Sequence, residues 1–277
     1  MKTVAGTPVS KGLLTPESPQ NPVSIERYWA GDGAAALVRH YWVPRWNLPE
    51  REQLRQDVLE YPTTNIVVED GVARLYRAHR GRSTRTLVGS GWAFGTMLQP
   101  GTARMLLGRS IRSAPASADL GDLGLTGAGD LAAKVSEHAS TGDDLSAIDE
   151  FERWLLDRVP EPDDEALLVN RIVSEVEGDR DLLRVEQLAD RFGIGIRRLQ
   201  RLVGSHVGFS PKWLIQRYRL HEAAAALRGD EPPALADLAA ALGYSDQAHF
   251  SREFKTVVGS TPGAYAATAR TDGPDPR

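Results

Sequence analysis

The segment LADRFGIGIRRLQRLVGSHVGFSP (residues 188–211) has a counterpart in LAAALGYSDQAHFSREFKTVVGSTP (residues 238–262). The two align at an offset of 50 residues as far as Gly193 and Gly243, and of 51 after one extra residue in the second turn. The later aligned positions are Leu199 with Phe250, Arg201 with Arg252, Gly208 with Gly259, and Pro211 with Pro262. A short helix, a turn at glycine and a second helix form a helix-turn-helix. The repeat therefore predicts two such units.

The sequence between the two units, SPKWLIQRYRLHEAAAALRG (residues 210–229), is typical of one long helix. Ser210 is a favourable N-cap residue, and proline is tolerated at the first helical position, where Pro211 stands. We therefore expect a linker helix that connects the two helix-turn-helix units.

The second helix of the first unit has one strongly basic face. On a helical wheel Leu199, Leu202 and Val203 form an apolar stripe. The opposite face and its flanks carry Arg197, Arg198, Gln200, Arg201, Gly204 and Ser205. An outward charged face is often only a solvated surface, but the second helix of a helix-turn-helix enters the DNA major groove. Arginine can bind guanine and glutamine can bind adenine there, so this face predicts DNA binding.

The second helix of the second unit has the same construction with weaker chemistry. Its expected inward stripe consists of Phe250, Phe254, Val257 and Val258. Ser245 is the expected N-cap. The candidate DNA-binding residues are Gln247, Ala248, His249, Arg252 and Lys255, with Thr256 also facing outward. Arg252 is the strongest base-reading candidate and Ala248 can contact a thymine methyl group, so we expect the first helix to carry more of the specificity.

Residues 235–265 resemble the signature region of the AraC/XylS-type transcription regulators. The shared features are Gly-Tyr, then Phe-x-Arg-x-Phe-Lys, then Gly-Ser-Thr-Pro-x-x-Tyr. The resemblance extends over about residues 166–266 and departs at Ala266, where the family often has an arginine. It implies that both recognition helices enter successive major-groove segments about 34 Å apart. The base-contacting candidates that it implies are Arg197, Gln200, Arg201, Ala248 and Arg252.

The N-terminal half has the pattern of an α+β domain, a small β-barrel plus helices, followed by the all-α region. Asp70-Gly71 lies between two strand-like runs and predicts a hairpin. The segment from 89 to 107 continues with glycine and proline punctuation, as a barrel or sandwich would, and the pattern is helical from about Asp119 to Asp157. Tyr41-Trp42-Val43 and the segment from Gly95 to Gly101 resemble, more loosely, the sensor domain of a subset of the same regulators.

That looser resemblance implies an N-terminal domain that binds an effector or mediates dimerisation. A strand over residues 37–43 would place Val38, His40 and Trp42 on one face. The candidate effector-binding residues are His40, Trp42, His79 and Trp92. Large aromatic residues in a small barrel are more often its core, and unconnected histidines are more often ordinary residues.

Pro160 and Pro162 interrupt helix-like sequence and place the junction between the halves near residues 158–164. Pro162 and the three acidic residues after it resemble the first turn of a new helix. The expected organisation is a disordered tail (1–24), a sensor or dimerisation domain (25–160), a DNA-binding domain (165–268) and a flexible tail (269–277).

Composition restricts the function classes. The net charge is −4, yet residues 1–180 hold 20 basic and 26 acidic side chains against 13 and 11 in residues 181–277. The C-terminal third is therefore mildly basic, as a DNA-binding region would be. The chain has no cysteine, which excludes disulfides, thiolate metal sites and cysteine nucleophiles. The sequence has no run of 18 or more apolar residues, so we expect no transmembrane helix. We expect a cytoplasmic protein.

Together these features predict a transcription regulator that binds double-stranded DNA. Expected further partners are a small-molecule effector, RNA polymerase if the protein is an activator, and a second copy in a homodimer. We expect no cofactor, metal, membrane contact or enzymatic activity. Two alternatives stay open: a barrel-type enzyme carrying a DNA-binding domain, and a DNA-binding regulator that responds to no ligand.

Overall fold

The computed structural model describes residues 12, 14, 22–229 and 231–271. A strand-rich N-terminal half is followed by a helical C-terminal region, so the predicted fold class is confirmed. Most of the tail expected at 1–24, and residues 272–277 of the tail expected at 269–277, lie outside the described residues. In the part that the structure describes, no helix is both long and apolar enough to cross a membrane.

The strands of the N-terminal half belong to two antiparallel sheets. They are β1 (Val23–Trp29), β2 (Val38–Asn47), β3 (Gln53–Val58), β4 (Thr64–Glu69), β5 (Val72–Arg77), β6 (Ser83–Val88), β7 (Ser90–Trp92), β8 (Phe94–Leu98) and β9 (Ser117–Asp119). The larger sheet has the order β1-β2-β8-β4-β5-β9, with β7 also paired to β2. Strands β3 and β6 form the second sheet, and Arg85 of β6 donates to Glu69 of β4.

The hairpin predicted at Asp70-Gly71 is confirmed. Strands β4 and β5 pair from Thr64 with Arg77 to Glu69 with Val72. Asp70 has a φ of 52° and Gly71 a φ of 72°. Two consecutive residues with positive φ suit the right-handed twist of a two-residue hairpin.

Two local expectations in this half were wrong. The register of β2 against β8 shifts between Val38 and His40. Val38 therefore lies in the core with Tyr41 instead of sharing a face with His40 and Trp42, because a bulge reverses the alternation of side chains. The strand-like pattern of residues 89–107 also ends early: after Pro100 and Gly101 the chain forms helix α1 (Thr102–Leu107).

The core of the N-terminal half lies between the larger sheet and two helices, α2 (Ala128–Ser140) and α3 (Asp144–Leu156). The Phe151 ring lies 6.1 Å from both the Tyr41 and the Phe94 ring, centroid to centroid. A short 3₁₀ helix at Ile111–Ser113 follows α1. Burial of these aromatic rings contributes to the stability of this layer, together with the aliphatic side chains around them.

In the described part of the C-terminal region, all regular secondary structure is helical. Its helices are α4 (Asp164–Gly178), α5 (Val185–Arg191), α6 (Ile196–His206), α7 (Pro211–Arg228), α8 (Leu235–Ala241), α9 (Gln247–Val258) and α10 (Pro262–Thr271). Asp163 caps α4 by accepting a hydrogen bond from the Ala166 backbone N–H at 2.7 Å. A second core joins α4, α5, α6 and the first part of α7, and a third joins the rest of α7 to α8, α9 and α10.

Candidate nucleic-acid interface

The two helix-turn-helix units have the predicted register. Helices α5 and α8 begin 50 residues apart, at Val185 and Leu235, and α6 and α9 begin 51 apart, at Ile196 and Gln247. The aligned turn glycines both have left-handed backbone conformations, with φ of 60° at Gly193 and 76° at Gly243. Glycine adopts this region without the steric cost of a Cβ, so the same turn ends the first helix of each unit.

The ends of the recognition helices repeat as well. Gly208, just beyond α6, has a φ of 89°, and Gly259, the C-cap of α9, has a φ of 93°. Pro211 and Pro262 begin the helices that follow. The Ser210 side chain accepts a hydrogen bond from the Trp213 backbone N–H at 3.2 Å, which confirms the predicted start of the linker helix.

Helix α6 presents its basic face to solvent. Leu199, Leu202 and Val203 are fully buried. The exposed residues of the same helix include Arg197, Arg198, Gln200 and Arg201. The Arg201 side chain is 71% exposed, and its Nη2 lies 3.8 Å from Glu165 Oε1 on α4. An exposed pair of this kind is worth little, so Arg201 can exchange that carboxylate for a base edge or a phosphate.

The end of α6 differs from the helical-wheel prediction. Gly204 was expected on the outward face but is buried, with Arg112 Nη1 of the N-terminal half among its nearest atoms. Ser205 is partly buried; its Oγ donates to the Leu202 carbonyl at 3.1 Å. The Ser205 carbonyl accepts a hydrogen bond from Ser110 Oγ at 3.3 Å. The 3₁₀ helix of the N-terminal half covers this end, which a wheel of α6 alone cannot reveal.

Helix α9 also leaves its candidate residues accessible. Phe250, Phe254 and Val258 are buried, as predicted. The exposed residues are Gln247, Ala248, His249, Arg252, Lys255 and Thr256. The expected N-cap Ser245 was wrong: Asp246 caps the helix and accepts from the His249 backbone N–H at 2.7 Å. That hydrogen bond holds the pKa of Asp246 below its usual value. Serine and aspartate are both good N-cap residues, so the N-cap predicted from the sequence was wrong by one position.

His249 is held by local contacts. Its ring lies edge-on to Tyr244, 5.3 Å between centroids, and its Nε2 is 3.9 Å from Glu253 Oε2. With Arg252 three residues further along, the exposed face of α9 carries fewer arginines than that of α6. The geometry agrees with the expected difference in chemistry between the two helices.

Ile196, the first residue of α6, is an exposed residue that was not among the predicted DNA-binding residues. This apolar side chain is 39% exposed and lies one turn before Gln200. Residues four apart on a helix are surface neighbours. An apolar residue that leads a basic recognition helix was the signal that could have identified it.

His40 and Trp42 share one face of β2, as predicted. The His40 ring lies edge-on to Trp29 at 5.7 Å. Burial, with smaller contributions from Arg39 and Arg27, lowers the pKa of His40 to about 4. The Trp42 ring occupies the space that a side chain at Gly95 would need. Both side chains are therefore packed against the sheet.

The other two effector candidates lie elsewhere. Trp92 borders a surface groove of about 620 Å³ whose lining includes Trp46, Glu69 and Arg85 but not His40, Trp42 or His79. The His79 carbonyl accepts a hydrogen bond from Arg217 Nη2 at 2.7 Å, at the boundary with the helical region. The four candidates do not line one groove. Within the described ranges no group of three His, Cys, Asp or Glu side chains is placed to hold a metal ion.

Two families match this sequence. Residues 188–268 match a family described as a helix-turn-helix domain, and residues 26–114 match one described as a domain of unknown function, DUF6597. The first match begins at Leu188, in the middle of α5, and extends through both units into α10. The second spans β1 to β8 and the segment that follows.

Curated relatives match the helix-turn-helix region. The HTH-type transcriptional activator RhaS of Pectobacterium carotovorum subsp. carotovorum is 36% identical over 75 residues, 27% of this chain and 26% of RhaS. An uncharacterized HTH-type transcriptional regulator of Haemophilus influenzae is 32% identical over 81 residues, 29% of this chain and 27% of that protein. The match thus spans about a quarter of the length of these relatives.

Solved structures with similarity include ToxT from Vibrio cholerae O395, with a TM-score of 0.41 and 12% identity over 89% of this chain and 97% of ToxT. Another is the C-terminal domain of AraT, a response regulator from Geobacillus stearothermophilus, with a TM-score of 0.32 and 25% identity. That likeness covers 35% of this chain and 82% of the AraT domain. Over residues 188–268 the sequence relationships and the paired units are those of an AraC-type helix-turn-helix domain.

Proposed function

We propose that this protein is a sequence-specific DNA-binding transcription regulator that reads two successive major-groove segments. The observation that carries the proposal is the exposure of two equivalent recognition helices, with Arg201 and Arg252 at matching positions. Their apolar faces are buried in separate cores that share α7. One rigid linker helix thereby presents two reading faces, as binding across one turn of DNA requires.

The residue roles follow from side-chain chemistry. Arg197 and Arg201 are suited to bind guanine bidentately, and Gln200 to bind adenine. Arg198 flanks this face and is suited to a phosphate, the destination of most protein–DNA hydrogen bonds. In the second unit Arg252 reads a base, Ala248 contacts a thymine methyl group, and Lys255 neutralises a phosphate. Gln247 lies at the N-terminus of α9, where it reaches the backbone or a base.

We further propose that the N-terminal half controls this reading by binding a small molecule. The groove beside Trp46 and Trp92 supports this role because it combines aromatic surface with Glu69, Asp70 and Arg85, a mixture that is typical of ligand sites. RhaS is named a transcriptional activator, which favours RNA polymerase as a partner here. In this proposal the protein acts in the cytoplasm, as a homodimer, and is not an enzyme.

Fluorescence anisotropy on DNA flanking the protein's own gene tests the proposal. The wild type, Arg201→Ala and Arg252→Ala are titrated at fixed salt, because phosphate contacts make affinity strongly salt-dependent, with and without excess random duplex. Arg153→Ala is the matched control, since Arg153 is 59% exposed and lies on α3.

We expect tight binding that resists competitor, is weakened in both recognition-helix variants and is unchanged in Arg153→Ala. Competitor-sensitive binding that all three variants share equally would contradict sequence-specific reading. An operator selected from a random DNA library extends the same test beyond the native flanking sequence.

A further inference from the structure

An arginine of the N-terminal half contacts the end of the second recognition helix. Arg82, directly before β6, donates a hydrogen bond from Nη1 to the backbone carbonyl of Val258, the last residue of α9. Arg82 Nε lies 3.3 Å from Asp57 Oδ2 on β3. A side chain at Gly259 would overlap the Arg82 guanidinium. We call this group of Asp57, Arg82 and the Val258–Gly259 backbone the Arg82 brace.

The brace acts at a favourable place on α9. The last carbonyls of a helix lack intrahelical partners and carry the negative end of the helix dipole, so a cation there is stabilising. The DNA-facing residues Ala248, His249 and Arg252 all remain exposed while the contact is made. The brace therefore fixes the helix without covering its reading face.

A second contact fixes the linker helix to the same loop. Arg217 of α7 is 2% exposed and donates to the carbonyls of His79, Arg80 and Gly81 at 2.7, 2.6 and 3.1 Å. Its guanidinium carbon lies 4.9 Å from the centre of the Trp213 ring. The connection between β5 and β6 is thereby attached to α7 at residues 79–81 and to α9 at residue 82.

The third core also includes side chains from outside the C-terminal region. Leu59 is fully buried and Leu14 is 8% exposed, and both pack in the core of the second unit with Phe250 and Phe254. Leu59 lies just after β3, two residues beyond Asp57. The two strands of the smaller sheet thus approach the second unit from one side, through Leu59 and Arg82.

From these contacts we propose that Arg82 is a positioning residue for DNA reading, which sets the orientation of α9 relative to α6. Without Arg82, the second unit is oriented by α7 and by apolar packing, which is not directional. The hydrogen bond to Val258 adds a directional constraint at the far end of α9. This inference rests on the proposed function, because orientation matters only if both helices read one DNA site.

The brace also gives the N-terminal half a route to the second recognition helix. Strand β6 begins at Ser83, next to Arg82, and its residues Arg85 to Val88 line the groove beside Trp46 and Trp92. A displacement of β6 in the groove moves Arg82, and therefore the end of α9. This route leads from the groove to the second recognition helix and is separate from the contact between Ser110 and the end of α6.

The test compares Arg82→Ala with Arg55→Ala in the full chain. Arg55 is a matched control because it also pairs with Asp57, at 3.2 Å, but is 60% exposed and contacts Thr84 instead of α9. Hydrogen exchange of the α9 amides is measured without DNA. Affinity is then measured for the full operator and for operators in which the first or the second segment is scrambled.

We expect Arg82→Ala to speed exchange in α9 and to leave α6 unchanged. Discrimination against the scrambled second segment falls about fivefold to tenfold, as for the loss of one typical hydrogen bond, while discrimination at the first segment stays at the wild-type value. Arg55→Ala changes none of these quantities. A merely structural role would weaken both segments together.

Equal behaviour of the Arg82→Ala and Arg55→Ala variants, or equal losses at both segments, would overturn the inference. If Arg82→Ala does not fold, Arg82→Lys replaces it; its shorter reach to Val258 is expected to give the same segment-specific loss in smaller measure. A wild type that reads no DNA site overturns the proposed function. The exchange measurement needs no DNA, so unchanged exchange in α9 overturns the brace separately.

Discussion

The two helix-turn-helix units have the same backbone design but obtain their cores from different places. The first unit buries α5 and α6 against α4 and α7, with Tyr61 of the N-terminal half at the edge of this core and the 3₁₀ helix against the end of α6. The second completes its core with Leu14 and Leu59 and holds α9 through Arg82. The first unit also has the richer basic face. The difference indicates a primary reader whose buried core residues all come from the C-terminal region and a secondary reader whose core includes buried leucines from outside that region.

Truncating Leu59 is expected to have the largest effect on the difference between the two units. Leu59→Ala removes a fully buried side chain from the third core, and such a change costs about 2–5 kcal/mol. We expect the loss in denaturant unfolding, with faster hydrogen exchange in α8 to α10 than in α5 and α6. Leu167→Ala, at a 41% exposed position on α4, is the control. Equal acceleration in both units would show that they form one cooperative block.

Truncating the two aligned arginines tests whether the first unit is the primary reader. Arg201→Ala is expected to cost about 1–3 kcal/mol on the specific site and to relax preference at one base pair. Arg252→Ala is expected to cost less, because α9 carries fewer side chains that are suited to bind bases. Anisotropy titrations with operators substituted at single positions measure both. A larger loss for Arg252→Ala would reverse the assignment, and equal weakening on random DNA would make Arg201 a phosphate contact.

Lowering the pH perturbs the N-terminal half through His40, while His206 of α6 and His249 of α9 are the same in the wild type and in His40→Gln. The pKa of His40 is about 4 in the fold against about 6.5 in an unfolded chain. The unfolded chain therefore binds the proton first, so the stability from neutral His40 is complete above pH 6.5 and decreases as the pH falls toward 4. Between pH 7 and pH 5 we expect a loss of about 1–2 kcal/mol that His40→Gln removes.

Chemical denaturation at each pH measures this contribution. Hydrogen exchange at pH 5, corrected for the intrinsic rate, then tests the comparison: relative to His40→Gln, the wild type should lose more protection in α9 than in α6. Identical pH profiles for the wild type and His40→Gln would show that His40 is not the titrating group. His138 is the histidine to substitute as a control, because it lies on α2 beside Asp143, away from β2.

The sequence was sufficient for those features that depend on neighbours along the chain. The paired turns at Gly193 and Gly243, the capped start of α7 and the hairpin at Asp70-Gly71 follow from local backbone chemistry. The burial of Gly204 and Leu59 and the contact of Arg82 with α9 depend on segments that are distant in the sequence. Local periodicity therefore does not predict them. The bulge after Val38 was likewise invisible, since one inserted residue leaves the alternating pattern intact on either side.

The smallest expected effect is that of Ile196. Measuring it would sharpen the contrast between the two reading faces. Its 39% exposed side chain leads α6 beside Gln200, and an apolar group there can contact a thymine methyl. Ile196→Ala is expected to cost about 0.5–1 kcal/mol, roughly the transfer free energy of one buried methylene group. Replacing a single operator thymine by deoxyuridine should cost the wild type the same amount and the variant nothing. If the two losses add at every thymine, Ile196 touches no methyl group, and α6 reads its segment through Arg197, Gln200 and Arg201 alone.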